Sequence, residues 1–182
     1  MLKSCEWSDK KCVDMYQLVV GSIMALKTPL SSSALQALYH HKLQISQVLR
    51  LLNSLFIGSS DEKPPVRILP LSFCDFVTYH SRSIPGLEQY WVDERAHNQT
   101  LAFRCLLIMN DELSKDIPGT GYLSSDAPYG SEGIHEIADS SISEGLWFAC
   151  RFWSQHLIEI ETPILEDFLG ALHNFFSTNL IR

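Results

Sequence analysis

LKTPLSSSALQAL (26–38), ISQVLRLLNSLF (45–56) and PVRILPLSFCDFV (65–77) decide the fold of this chain. In the first block Thr28-Pro29 stops an incoming helix, because proline disfavours helical geometry in the residue before it. Ser31 to Ser33 then offer N-cap oxygens to a short helix carrying Ala34, Leu35 and Leu38. In the second block Ile45, Val48, Leu49, Leu52, Leu55 and Phe56 share one broad helical face. In the third, Val66 to Leu69 is β-prone and faces Leu55 to Ile57 across GSSDEKPP (58–65), a turn-rich, charged stretch. Ser72 and Asp75 have capping-box spacing and open a helix with Phe73, Phe76 and Val77. Three helices and a hairpin wing, closed by a capped helix, predict a winged-helix domain over residues 12–80.

Outward from these blocks the chain is helical. Val13, Tyr16, Val20 and Ile23 draw one apolar stripe down a helix over 13–27. HSRSIPGLEQYW (80–91) reads as a connector, and Asp93 can cap a long helix. Residues 101–109 of that helix are apolar except Arg104, which predicts packing on both sides. DIPGTGYLSSDAPYGSEG (116–133) is dense in Gly, Pro and Ser and reads as a long surface loop. Leu146, Ala149, Cys150, Trp153, Leu157 and Ile160 mark the buried stripe of a further helix. Thr162 as N-cap and Pro163 at the first helical position begin the last one, with Ile164, Phe168, Leu172 and Phe175 inward. The predicted fold is mainly α: the winged helix, then a helical layer over 90–182, joined through the 101–109 helix and the aromatic helix after it.

Composition narrows the function. The chain has 182 residues, 46% of them hydrophobic, and a net charge of −7, so it can bury a core and lacks a broad positive field for phosphate backbones. No apolar run reaches the ~20 residues of a membrane span. MLKSCEWSDKKC at the N-terminus has no secretory h-region. The five cysteines have irregular spacing, with Cys74, Cys105 and Cys150 in apolar helical patterns. Buried, reduced thiols in the cytoplasm are the expectation.

No catalytic motif stands. Gly21 to Thr28 approaches a phosphate-binding loop, but Leu26 replaces the second glycine and the segment is an amphipathic helix. Gly119 and Gly121 make a turn. His40 and His41 are adjacent and diverge by ~100° on a helix, while Cys5 and Cys12 are too far apart for a zinc knuckle. There is no GxSxG elbow, and His156 with Glu159 or Glu161 reads as a helix-surface pair. No catalytic residue, cofactor or metal is therefore expected. Trp147 and Phe148 lie off the centre of their helix's buried stripe, so each is either packed on a neighbour or exposed as an interface. As a DNA reader the second block would present Gln47 and Arg50, with Arg67 on the wing. That charge is sparse for a protein making several phosphate contacts.

ALKTPLSSSALQAL (25–38), VLRLLNSLF (48–56), PVRILPLSFCDFV (65–77), AFRCLLIMNDEL (102–113) and GLWFACRFWSQHL (145–157) together resemble the region after the ATPase core of fungal NACHT-type STAND proteins. Leu26, Lys27, Pro29, Leu30 and Ser31 carry the first match, and Val66, Arg67, Leu69, Ser72, Phe73, Asp75 and Phe76 the second. Cys105, Leu106 and Leu113 suit the third. Ala149, Cys150, Arg151, Trp153, His156 and Leu157 carry the last. The resemblance implies a winged-helix and helical segment that couples the nucleotide state of an NTPase to opening and oligomerisation, as in innate-immunity receptors. It implies a protein partner, either an NTPase core in cis or a related STAND protein, with self-association possible and neither nucleic acid nor membrane involved. The sequence holds no P-loop, no Mg²⁺-binding acidic strand and no sensor arginine, which implies a non-catalytic fragment or truncated paralogue. Pro70 stands where the family often has a nucleotide-sensing histidine, and proline cannot donate that hydrogen bond. The alternative expectation is a winged-helix DNA-binding regulator.

Overall fold

The computed structural model describes residues 9–39, 45–58, 64–68, 70–113, 141–161 and 163–180. The 116–133 loop, His40, His41, Gln44, Cys5 and the Thr162 cap all lie outside them. The described chain is mainly helical. Its helices are α1 (Lys10–Ala25), α2 (Ser32–Leu38), α3 (Ile45–Leu51), α4 (Leu71–Asp75), α5 (Glu94–Glu112), α6 (Glu144–Ile158) and α7 (Glu166–Phe175). Between α3 and α4 lie β1 (Phe56–Ile57) and β2 (Arg67–Ile68), an antiparallel pair with Phe56 opposite Ile68 and Ile57 opposite Arg67.

Local chemistry explains most of these boundaries. Asp9 caps α1, accepting from the Lys11 amide at 3.0 Å. Ser31 caps α2 through the Ala34 amide, and Asp93 caps α5 through the amides of Arg95 and Ala96. Gly58 opens the turn of the hairpin at φ +77°, where a Cβ would also meet the Pro65 carbonyl oxygen at 2.4 Å. The hairpin is tied back to the chain before α2, with Ser31 bridged to Pro65 and the Val66 amide donating to the Leu30 carbonyl at 2.8 Å.

Several sequence expectations are corrected. The second block is not one helix: α3 stops at Leu51, Asn53–Leu55 is a 3-10 turn, and Phe56 belongs to β1. Leu52 and Phe56 stay buried nonetheless, so the stripe continues across the change of backbone. Ser72 caps nothing, because Pro70 holds the N-cap position and α4 already begins at Leu71. The run then continues through a π turn (Phe76–His80) and a 3-10 turn (Ser81–Ser83). Leu165, not Thr162, is the N-cap of α7, so Pro163 precedes the helix and Ile164 faces solvent rather than the core. Cys12 is disulfide-bonded, against the reduced state expected of all five thiols. Cys74, Cys105 and Cys150 are free, but only Cys105 is buried, and Cys150 is exposed beside the stripe it was predicted to join.

One core takes residues from both halves. Val20, Leu38, Leu49 and Val77 share it with Leu106, Phe148 and Phe168. α5 is its axis, packed by α1, α6 and α7, and 101–109 is buried on more than one side as its composition predicts. The α1–α5 crossing is close. A Cβ on Gly21 would fall 2.0 Å from His97 Nε2, so this glycine admits a neighbouring helix rather than a phosphate. α6 runs antiparallel to α5, with His156 beside Asn98 at one end and Ser143 beside Glu112 at the other. α7 runs parallel to α5: Gln99 donates to the Pro163 carbonyl and Asn110 to the Ala171 carbonyl, each at 3.0 Å.

Candidate functional site

Gln47, Arg50 and Arg67 are all exposed, on α3 and β2. Arg67 also lines a cleft of about 290 Å³ with Leu26, Pro29 and Glu94, under the hairpin and beside the end of α1. Pro70 is half-buried at the start of α4. Trp147 and Phe148 part company. Phe148 is completely buried, stacked near Phe152 and His156, so it belongs to the core and not to an interface. Trp147 is 43% exposed, but the Arg151 guanidinium lies over its ring at 5.6 Å from the centroid and Phe152 meets it edge-on. Much of its face is therefore covered from within the chain.

His156 is the residue whose surroundings the sequence could not give. It is fully buried, not on the helix surface, and its Nδ1 lies 2.7 Å from Asn98 Oδ1. Asn98 donates through Nδ2 to Glu159 Oε2 at 3.1 Å, and the same oxygen takes the Lys27 ammonium at 2.5 Å. With the Asn98 amide nitrogen committed to Glu159, its oxygen must accept, so the His156 proton sits on Nδ1. Nε2 is then a bare lone pair, and among the described residues it has no hydrogen-bond partner. Burial first, and then the nearby Lys27 charge, push the His156 pKa down to about 4. The Lys27 hydrogen bond holds the Glu159 carboxyl below its usual range. A neutral imidazole with a free nitrogen is a base in principle, but this one reaches no solvent and touches Phe148. Its chemistry is structural: it links α5 to α6, and through Glu159 and Lys27 to the end of α1. Among the described residues no group of three or more His, Cys, Asp or Glu could hold a metal, and no helix is long and apolar enough to cross a membrane.

The surface that stands out is on α7. Leu165 at the N-cap, Leu169 and Leu172 within the helix, and Phe176 at the start of the π turn that follows (Phe176–Leu180) fall at i, i+4, i+7 and i+11. Leu165 is 64% exposed, Leu169 51% and Phe176 42%, with Leu172 half-buried at the seam. About a quarter turn around α7, and adjoining this set through Leu172, Phe168, Ala171 and Phe175 lie in the core, Phe168 against Phe103 and Phe175 against Trp153. Ile158 and Ile164 are exposed in the approach to α7, so five of the ten exposed large apolar residues described lie within 158–176. The apolar sector of α7 is thus wider than the part the core covers, and its flank is left in water. Of the residues that the sequence places inward, Phe168, Leu172 and Phe175 pack on the core while Ile164 does not.

Set against known protein families, curated proteins and solved structures, the chain matches none.

Proposed function

We propose that this chain is a non-catalytic regulatory module that docks onto another protein through the exposed apolar flank of α7. Leu165, Leu169 and Phe176, large apolar side chains left in water along one helix face, carry that reading. Behind them the module is stiff: one core joins both halves, and the Lys27–Glu159–Asn98–His156 chain ties α1 to α5 and α6. A stiff body with one apolar face transmits the position of whatever it binds. The more specific form of the reading is the STAND type, in which α1 to α4 with the hairpin form a winged helix and α5 to α7 the helical segment after an NTPase core. The order of three helices, hairpin and helix supports it, as does the strap from Leu30 and Ser31 to Pro65 and Val66.

Light scattering and binding of a hydrophobic dye test the docking reading. The native chain is expected to bind dye and to associate as its concentration rises, and Leu165→Glu/Leu169→Glu to abolish both at unchanged melting temperature. A dye-negative native monomer would overturn it. The STAND element has its own test: excess chain added to an intact fungal NACHT-type STAND protein should change its rate of assembly, and an unchanged rate would remove that element. A DNA-binding regulator is the second reading, favoured by the exposure of Gln47, Arg50 and Arg67. It requires salt-sensitive duplex binding that Arg50→Ala weakens.

A further inference from the structure

We infer that Cys105 and Cys150 are a redox pair: under sustained oxidation by peroxide they join in a disulfide that staples α6 to α5. The register of the two antiparallel helices places them together. At one end of the contact His156 Nδ1 lies 2.7 Å from Asn98 Oδ1, and at the other the Ser143 hydroxyl donates to Glu112 at 2.8 Å. Cys105 stands seven residues after Asn98 and seven before Glu112, two turns from each on the same face of α5. Cys150 stands seven residues after Ser143 and six before His156, which makes it the partner at the middle level. The helices run close along this line, for a Cβ on Gly145 would meet Ile108 Cδ1 at 3.3 Å. Packed helices lie about 8–10 Å apart and hold their Cα atoms about 2.3 Å from the axis, so facing Cα atoms come within the reach of a disulfide, about 4.4–6.8 Å. Each thiol registers its surroundings accordingly. Burial and then the neighbouring Cys150 push the Cys105 thiol up, while burial and then the Glu112 carboxylate push up that of Cys150.

Both thiols are free, Cys105 has no exposure and Cys150 reaches solvent, so oxidation starts at Cys150. Its thiol gives up a proton, the thiolate attacks one oxygen of hydrogen peroxide, and the O–O bond breaks. Cys150 becomes a sulfenic acid, and the departing hydroxide takes the proton and leaves as water. The Cys105 sulfur then attacks the Cys150 sulfur, the S–O bond breaks, and a second water leaves with the Cys105 proton. Two thiols lose two electrons and two protons, and one hydrogen peroxide is reduced to two waters. Thiols held above their ordinary range supply little thiolate at neutral pH, so the first step is slow. The pair therefore answers lasting oxidative load and is no peroxide scavenger. The other described cysteines do not compete. Cys12 is already bonded. Cys74 lines the cleft beside Glu94, which precedes Cys105 on α5 by roughly 16 Å of helix.

Peptide mapping of the whole chain after treatment with hydrogen peroxide tests this. Trypsin cuts after Arg104, Lys115 and Arg151, so Cys105 and Cys150 fall in adjoining fragments, 105–115 and 116–151, that only a disulfide holds together. The joined fragments, lighter than their sum by two hydrogens, are expected as the main new product of the native chain. They should persist in Cys74→Ser, separate under reductant, and be absent from Cys150→Ser, a change at an exposed position that should leave the melting curve of the untreated protein native. Peroxide should also raise the melting temperature of the native chain by roughly 5 °C or more, and leave that of Cys150→Ser where it was. In urea the preference for this pair should disappear. Cys150 found as sulfinic acid, or joined to Cys74 or to a second chain, with Cys105 still a free thiol, would overturn the pairing. An equal preference in urea would trace it to sequence proximity and overturn the role of the helix register. Joined fragments with an unchanged or lower melting temperature would overturn the staple.

Discussion

α5 and α7 both carry apolar side chains on more than one side, yet they end in different places. Every apolar face of α5 is met: by α1, by α6 and by α7. Leu101, Ala102, Cys105 and Leu106 accordingly have no exposure at all. α7 meets α5 with Phe168, Ala171 and Phe175 and leaves Leu165, Leu169 and Phe176 in water. The contrast separates apolar residues that hold this fold from apolar residues that the fold merely displays. Sequence cannot separate them, since both sets obey helical spacing. Stability measurements can, because the first set loses native contacts when cut and the second has few to lose.

The sharpest way to break the contrast is to cut on both sides of it. Phe148→Ala empties a fully buried site on α6 and should cost about 3–5 kcal/mol in denaturant unfolding. The acid response comes next. His156 has a folded pKa of about 4 against an ordinary 6.5. Above pH 6.5 both folded and unfolded states hold it neutral, and its contribution is fully present. As pH falls from 6.5 towards 4 only the unfolded chain takes up the proton, so about 3 kcal/mol of stability drains away in that window and no more is lost below it. Burial lowers the His97 pKa too, which adds loss of the same sign. His156→Gln keeps a donor for Asn98 and removes the titration, so urea midpoints measured across that window should flatten. An unchanged acid slope would refute the assignment.

Gly21→Ala should cost about 1–3 kcal/mol despite the better helix propensity of alanine, because the new methyl group must displace the His97 ring. The smallest effect sharpens the comparison most. Leu169→Glu should change the free energy of unfolding by no more than about 0.5 kcal/mol while altering dye binding. A loss as large as that of Phe148→Ala would mean that the α7 face is already covered by this chain, and the two helices would not differ after all.

Those parts of the fold that depend on neighbours in sequence were legible. Ser31 and Asp93 cap where their side-chain oxygens predict. The β1–β2 hairpin flanks the Gly- and Pro-bearing turn, and 101–109 is sandwiched as its near-continuous apolar run requires. The rest depends on partners far along the chain. Trp147 and Phe148 are consecutive, so about 100° of rotation decides that one sees solvent and the other does not, and only the placement of α5 fixes which. The Ser72 and Asp75 spacing was real, but Leu71 had already entered helical geometry, leaving no free amides for Ser72 to cap. The sequence points His156 outward towards Glu159 because nothing in its own helix shows Asn98, 58 positions earlier, whose amide oxygen accepts its hydrogen bond. The candidate docking face was hidden for a related reason: an inward and an outward stripe interleave within α7, and periodicity alone assigns them both to the core.

Ser31 has a bearing on how this chain comes into being over time. Its hydroxyl caps α2 locally, but the same hydroxyl and its backbone amide also donate to the Glu144 carboxylate, at 2.5 and 3.0 Å, across a separation of 113 residues. During synthesis the ribosome adds roughly 5–20 residues per second, so Glu144 arrives roughly 6–23 s after Ser31. Through that interval the start of α2 and the Pro65 segment bridged to it lack their carboxylate anchor. Phe148, which fills the core they line, is also still to come. The N-terminal elements are therefore exposed to chaperones and proteases until α6 emerges, and the last third of the chain completes the first.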